Sequence, residues 1–244
     1  MTSDTLQQLQ NALDNSHYTV ALCGSGCLKE CGMEALKSQA RAYKIEEQYG
    51  DSPEYLYTSA FFSSRPKQFF EFYKNEFLIP NLEPVTTSYA LAKLEQEGKL
   101  QCIISSNVFN LSKLGGCKNV INFYGNIYEN YCTHCGKEYS KDYILNASSI
   151  PLCEECGHII RPAVAFFGDM IDNQLMTTVS YEIEKAELIL LLGTSTNSLV
   201  YQKYAPYIAG KKVISIHEKN DLDAPEDGFV IYGQPKDIFK ELGY

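Results

Sequence analysis

Two cysteine pairs carry the clearest chemistry in the sequence, Cys132-Thr133-His134-Cys135 and Cys153-Glu154-Glu155-Cys156. Two residues between partners let both thiolates of a tight knuckle reach one ion. The 17 residues between the pairs give the interval of a zinc ribbon. Gly136 and Gly157 follow the pairs and suit turns that need positive φ. Four thiolates close a tetrahedron with no open position, so the predicted ion, Zn2+ on Cys132, Cys135, Cys153 and Cys156, is structural. His134 could replace a cysteine, but four cysteines suffice. A disulfide framework is the competing reading. The start, Met1 to Gln10, has no basic region followed by an apolar one, so nine cysteines point to a reducing compartment, the cytoplasm, where thiols persist.

Three further clusters join small polar residues to the ends of apolar runs. Gly24-Ser25-Gly26 follows Tyr18–Cys23, Ser105-Ser106-Asn107 follows the run from Gln101, and Gly193-Thr194-Ser195 follows Leu188–Leu192. Glycines let a backbone approach a pyrophosphate, and hydroxyls or an amide at strand ends bind ribose or phosphate. Each cluster has a plainer reading as a tight turn or a helix N-cap. The first also lacks the third glycine of a dinucleotide fingerprint, since Lys29 stands there. The three together favour a nucleotide crevice at the strand ends of an open sheet. Cys23, Cys27 and Cys31 crowd the same loop. They read as small buried thiols or as a redox-sensitive or second metal site, with Cys27 at a helix start the most reactive.

These clusters need a scaffold. Helical spacing predicts helices over 4–15, 32–48, 86–96, 172–186 and 200–209, with a last one from Lys236. Short β-rich runs predict strands at 18–23, 101–105, 119–123, 188–192, 213–216 and 229–231. Residues 51–84 are aromatic and proline-punctuated, predicting short helices and loops. The run LILLL is apolar at every position, as in a strand covered on both faces. The expected class is α/β: a Rossmann-like doubly wound parallel sheet with a small zinc-ribbon module inserted. A length of 244 residues accommodates one large domain with an insert. A net charge of −9 argues against nucleic acid, and no apolar run spans a membrane.

The ordered set of Gly24-Ser25-Gly26, Ser105 to Asn126, the cysteine tetrad, Arg161 to Asp169 (RPAVAFFGD), LLGTS and VISIH resembles the sirtuins over nearly the whole chain. The resemblance implies a Rossmann-like domain (1–126 and 161–244), a zinc ribbon (127–160) and a helical part of the small domain (40–80), with NAD between them. It implies a protein or peptide substrate in a groove near Val164–Phe167. The residues it assigns to NAD or a related nucleotide are Gly24, Ser25, Gly26, Lys37, Ser106, Asn107, Phe109, Gly193, Thr194, Ser195 and His217. Asn107 and Tyr124 take its catalytic positions.

Several of those positions differ in type from the family pattern. The arginine of the family's G-I-P-D-F-R is Lys37, its Q-N-I-D reads Ser106-Asn107-Val108-Phe109, its catalytic histidine is Tyr124, and its ribose-side asparagine is His217. The histidine acts in the family as a base on the nicotinamide ribose. An unperturbed Tyr titrates at about 10 and His at about 6.5, so Tyr124 forfeits most of the factor of about 10²–10⁴ that a positioned base supplies. Asn107, tied to nicotinamide departure, is kept. The expected function is NAD-dependent protein modification by ADP-ribosyl transfer or weak lysine deacylation. The alternative is a nucleotide-binding sensor or partner protein without turnover.

Overall fold

A computed structural model describes residues 3–78, 82–218 and 224–244. In chain order its elements are α1 (Ser3–Asn15), β1 (Thr19–Cys23), a 3-10 helix (Ser25–Cys31), α2 (Gln39–Tyr49), α3 (Pro53–Leu56), α4 (Ser59–Ser64) and α5 (Pro66–Glu76). Next come α6 (Thr86–Gln96), β2 (Cys102–Ser105), α7 (Leu111–Leu114), β3 (Val120–Asn122), β4 (Gly125–Cys132), β5 (Glu138–Ser140) and α8 (Lys141–Asn146). The rest are β6 (Ile160–Val164), α9 (Asn173–Lys185), β7 (Leu188–Leu192), α10 (Leu199–Ile208), β8 (Lys212–His217), β9 (Gly228–Tyr232) and α11 (Pro235–Glu241). The acidic stretch 218–227 reads from sequence as a solvated loop, and its residues 219–223 lie outside the described residues. Among the described residues no helix is long and apolar enough to cross a membrane.

The chain divides into two compact units. The first comprises Met1–Met33, Glu83–Phe123 and Asp172–Tyr244; the second comprises Glu34–Leu82 and Tyr124–Ile171.

The first unit is built on a parallel sheet of order β3-β2-β1-β7-β8-β9. Every residue of β1 and β7 is buried, and the unbroken apolar run of β7 is that of a strand covered on both faces. Leu9 and Leu13 of α1, Leu91 and Leu94 of α6, and Phe239 of α11 pack with Ile103, Leu190 and Ile214 in one core. Strand order reverses between β1 and β7, which makes that pair the switch point where such sheets bind ligands beyond their carboxyl ends.

Residues 32–48 do not form the single helix expected. The 3-10 helix stops at Gly32, whose φ of 72° is left-handed and cannot continue it. α2 begins only after Ser38, whose side chain accepts from Arg41 N at 3.3 Å. Glu30 lends its carboxylate to α6, which has no side-chain cap of its own: Oε2 accepts from Thr87 N at 3.1 Å and Oε1 from the Thr87 hydroxyl.

The second unit joins a small antiparallel sheet of order β5-β4-β6 to α2–α5 and α8. Its helical part is aromatic throughout. Phe61, Phe69, Phe70, Phe72 and Tyr73 are fully buried, and Tyr57 stacks on Phe77 at 4.6 Å between ring centroids. Burial of each such ring contributes about 1.5–3 kcal/mol, so this part holds a core without help from the metal site.

Candidate functional site

The switch point of the first unit is closed by glycine packed on glycine. Gly24 N donates to Leu192 O and Gly26 N to Gly193 O, both at 2.9 Å. A Cβ on Gly24 would lie 2.5 Å from Gly193 O, and one on Gly26 would lie 2.7 Å from Gly193 Cα. Gly193 has φ +57°, and a Cβ there would lie 2.6 Å from Cys27 N. The loops after β1 and β7 are therefore fixed backbone against backbone, bringing Gly24, Ser25, Gly26, Gly193, Thr194 and Ser195 to one strand-end region.

The loop after β2 joins the same edge. Ser106 N and Oγ both donate to Cys23 O, at 2.9 and 3.2 Å. Asn107 is buried, and its Oδ1 accepts from Phe109 N at 3.1 Å, an Asx turn that fixes the amide. Ser105 Oγ donates to Asn107 O at 3.3 Å. Phe109, 3% exposed, puts a ring where the resembling pattern has an acid. At the end of β8, His217 is half-buried and its carbonyl accepts from Gly233 N at 3.0 Å. Beside it, Lys29 pairs with Glu218 and holds that carboxyl below its ordinary range.

The three loop cysteines are thiols in packing positions. Cys27 Sγ donates to Leu192 O at 3.4 Å, and Cys31 Sγ to Leu28 O at 3.0 Å. Contact with Cys27, then burial, raises the Cys23 thiol well above its ordinary range. Among the described residues, the one converging group of three or more Cys, His, Asp or Glu ligand atoms is the tetrad, so these cysteines form no second metal site.

The tetrad lies in the second unit. The four Sγ atoms all lie within 4.8 Å of one another, with Cys132 and Cys156 at 3.3 Å and Cys135 and Cys153 at 3.6 Å. Tetrahedral zinc with bonds of about 2.3 Å needs sulfurs about 3.8 Å apart, so the set fits one Zn2+. Gly136 (φ 73°) and Gly157 (φ 74°) turn the two knuckles, donating to Cys132 O at 3.1 Å and Cys153 O at 2.9 Å. Tyr139 OH donates to Cys153 Sγ at 3.1 Å and lowers that thiol to about 6, favouring the thiolate a metal needs. His134 stacks on His158, centroids 4.1 Å apart, outside the ligand set.

Two other expected residues also belong to the second unit. Tyr124, half-buried, precedes Gly125, where a φ of +74° and the 1.9 Å that would separate an added Cβ from Ala163 O admit no side chain. Tyr124 O accepts from Ala165 N at 2.9 Å, and burial raises the phenol above its ordinary value. Lys37 Nζ lies 4.3 Å from the centroid of the Phe167 ring.

Val164–Phe167, the expected peptide segment, is held by a carboxylate the sequence had not singled out. Asp169 accepts from Arg161 Nη2 at 2.5 Å, Ser59 Oγ at 2.5 Å and Phe166 N at 2.8 Å. Arg161 also lies over the Phe166 ring at 4.4 Å. Its signal was present as the charge pair flanking Phe166-Phe167, whereas Ser59 and the Glu30 cap are too distant in sequence to be seen.

A doubly wound sheet with glycine-packed strand ends, accompanied by a four-cysteine ribbon, defines a narrow class of protein. The Sir2 family model matches residues 24–200, and the chain belongs to that family. An NAD-dependent protein deacetylase of Clostridium tetani is 30% identical over 99% of this chain and 100% of its own. An NAD-dependent protein deacylase of Pyrococcus furiosus is 32% identical over 97% and 96%. Among solved structures, a Sir2 with a p53 peptide and NAD+ superposes with a TM-score of 0.81 at 25% identity, covering 97% of this chain and 96% of that one.

Proposed function

We propose that this chain is an NAD-dependent protein-modifying enzyme that retains nicotinamide cleavage and is weakened in lysine deacylation. The observation that carries this reading is the cradle of Gly24, Gly26 and Gly193 at the switch point, with Asn107 fixed beside it. When bound, NAD supplies an ADP-ribosyl group and a nicotinamide leaving group. The glycines pack the loops after β1 and β7 on each other at the strand ends, where sheets of this kind receive a pyrophosphate, Thr194 and Ser195 offer hydroxyls, and Asn107 orients the reacting end. Tyr124 stays a protonated phenol at neutral pH and donates a hydrogen bond rather than accepting a proton. Transfer of ADP-ribose to water or to a protein side chain does not need that base, whereas deacylation does. Zinc on the four cysteines holds the module that carries Tyr124. A peptide substrate would lie extended beside Val164–Phe167, the mode in which a strand adds to a sheet. The five cysteines outside the tetrad are free thiols, which fits a cytoplasmic setting.

The test is incubation of the purified protein with NAD, with and without an acetyl-lysine peptide, and measurement of free nicotinamide. Release that exceeds deacetylated peptide supports the reading. Retained NAD binding with no release favours a binding protein without turnover, a reading suggested by Phe109, whose buried ring cannot replace an acid as a partner for the nicotinamide amide.

A further inference from the structure

The parallel sheet of the first unit ends at β9, which among the described residues pairs with β8 and with no other strand. Its outer side follows from the bonds on its paired side. Asp227 O accepts from Val213 N at 3.1 Å, and Gly233 N donates to His217 O at 3.0 Å. A planar trans peptide points its N–H and C=O in opposite directions. The Gly228 N–H and the Tyr232 C=O therefore face away from β8. Val230 lies between them in the same phase, in register with Ser215, so its backbone groups face outward as well.

Proteins blunt such edges with lysine, proline, a bulge or a very short strand. The opposite edge of the sheet, β3, is three residues long. β9 carries none of these devices. It reads Gly228-Phe229-Val230-Ile231-Tyr232, uncharged throughout, and runs beside β8 without a break in register. Phe229 and Ile231 pack into the core on one face of the sheet. Gly228, Val230 and Tyr232 share the other face, and Tyr232 is 47% exposed.

The strand is also complementary to itself. An antiparallel copy related by a two-fold axis at Val230 sets Val230 against Val230 and Gly228 against Tyr232 at both ends. Outward N–H meets outward C=O at each of these positions, as in the hydrogen-bonded pairs of an antiparallel ladder. The Tyr232 ring of one copy then falls over Gly228 of the other, where no side chain stands in its way. An aromatic ring that covers a cross-strand glycine is a favourable pair at a sheet edge. Gly228 cannot be filled by its own chain, because a Cβ there would lie 1.6 Å from Val213 O. Within the strand no charge is laid against its like. A peptide of unrelated sequence would meet the backbone groups but not this reciprocal match of glycine and tyrosine.

We propose that β9 is a homodimer interface, in which two copies of this chain pair edge to edge about Val230 and join their parallel sheets into one. The same patch serves both copies, so the interface closes on itself and assembly stops at the dimer. β8 separates β9 from β7 and the switch point, and the pairing does not depend on NAD turnover.

The test is sedimentation velocity of the zinc-loaded full chain over a concentration series, read together with hydrogen exchange. The wild type should pass from monomer to dimer as concentration rises, and no further. The Val230 amide, turned to solvent in a single copy, should exchange more slowly in step with the dimer. Val230→Lys sets like charges at the axis while keeping every bond to β8. It should raise the dissociation constant about tenfold or more, and high salt should restore part of the loss. Val230→Pro deletes only an outward N–H, the position at which an edge strand tolerates proline, and should weaken the dimer by a similar factor of about tenfold. Wild-type melting temperature and zinc content identify the variants that fold. A chain that is monomeric at every concentration, a dimer that both variants leave intact, or a Val230 amide whose exchange does not follow the dimer overturns the proposal.

Discussion

Gly26 lies directly on Gly193: its N–H donates to the Gly193 carbonyl at 2.9 Å, and a methyl group on it would come within 2.7 Å of both Cα and O of that residue. Neither side of this contact can give, because both are backbone. Gly26→Ala should therefore separate the loops after β1 and β7. A loss of about 1–3 kcal/mol is expected from overpacking alone, with NAD affinity falling further than stability. Calorimetry and thermal melting measure the two. Gly32→Ala is the control, since nothing lies within 4 Å of its added methyl and only its left-handed φ is penalised. Equal loss of NAD affinity in both variants would refute the cradle.

On the proposed reading, Tyr124 sets the balance between transfer and deacylation. Burial raises its phenol above the ordinary tyrosine value, so residual wild-type deacetylation should climb from about pH 7 to about pH 9 without a plateau. Tyr124→His should raise deacetylation by about 10²-fold or more and level off above a pKa of about 6.5. Tyr124→Phe should leave nicotinamide release unchanged. A variant histidine that stays inactive would place the block at Phe109 or Ser106 instead.

Removing zinc should affect one unit selectively. Cys153→Ser, or chelation with release of one equivalent of metal, should disorder β4, β5 and the knuckles, since such modules fold on their ion. The parallel sheet has its own core and should keep its amide protection. Hydrogen exchange resolved by segment distinguishes this from global unfolding.

Asp169→Asn tests the hold on the peptide segment. The carboxylate accepts from Arg161, Ser59 and Phe166 N, and weakening a charge-assisted set of this kind costs about 1.5–3 kcal/mol. The melting temperature should fall, and KM for an acyl peptide should rise more than kcat falls. A change in kcat alone would show that the clamp does not position the peptide.

The sequence exposed the parts of this architecture that depend on local pattern. Leu188–Leu192 is apolar at every position because both its faces are covered, and Cys132 to Cys156 show ligand spacing directly. What stayed hidden depends on contacts distant in sequence. Glu30 caps α6 from far upstream of Thr87, and Asp169 reaches back to Ser59. The helix expected over 32–48 failed because periodicity does not reveal that Gly32 turns left-handed while Ser38 starts a new helix. A bulge in β4, residues 126–129 against Ala163 of β6, is equally silent, since its cause is a partner strand with a single facing residue.

The central pairing of β1 with β7, Thr19 against Leu188, also sets an order of events during synthesis. The first strand leaves the ribosome long before its neighbour on the switch-point side exists. Until then its TVALC edge is exposed, a condition that invites mispairing. The aromatic helices and the metal ribbon close over shorter stretches and are completed while β7 is still being made. Nascent chains truncated after Ile171 should already bind zinc yet be captured by holdase chaperones through residues 19–23, and extension past Leu192 should release them.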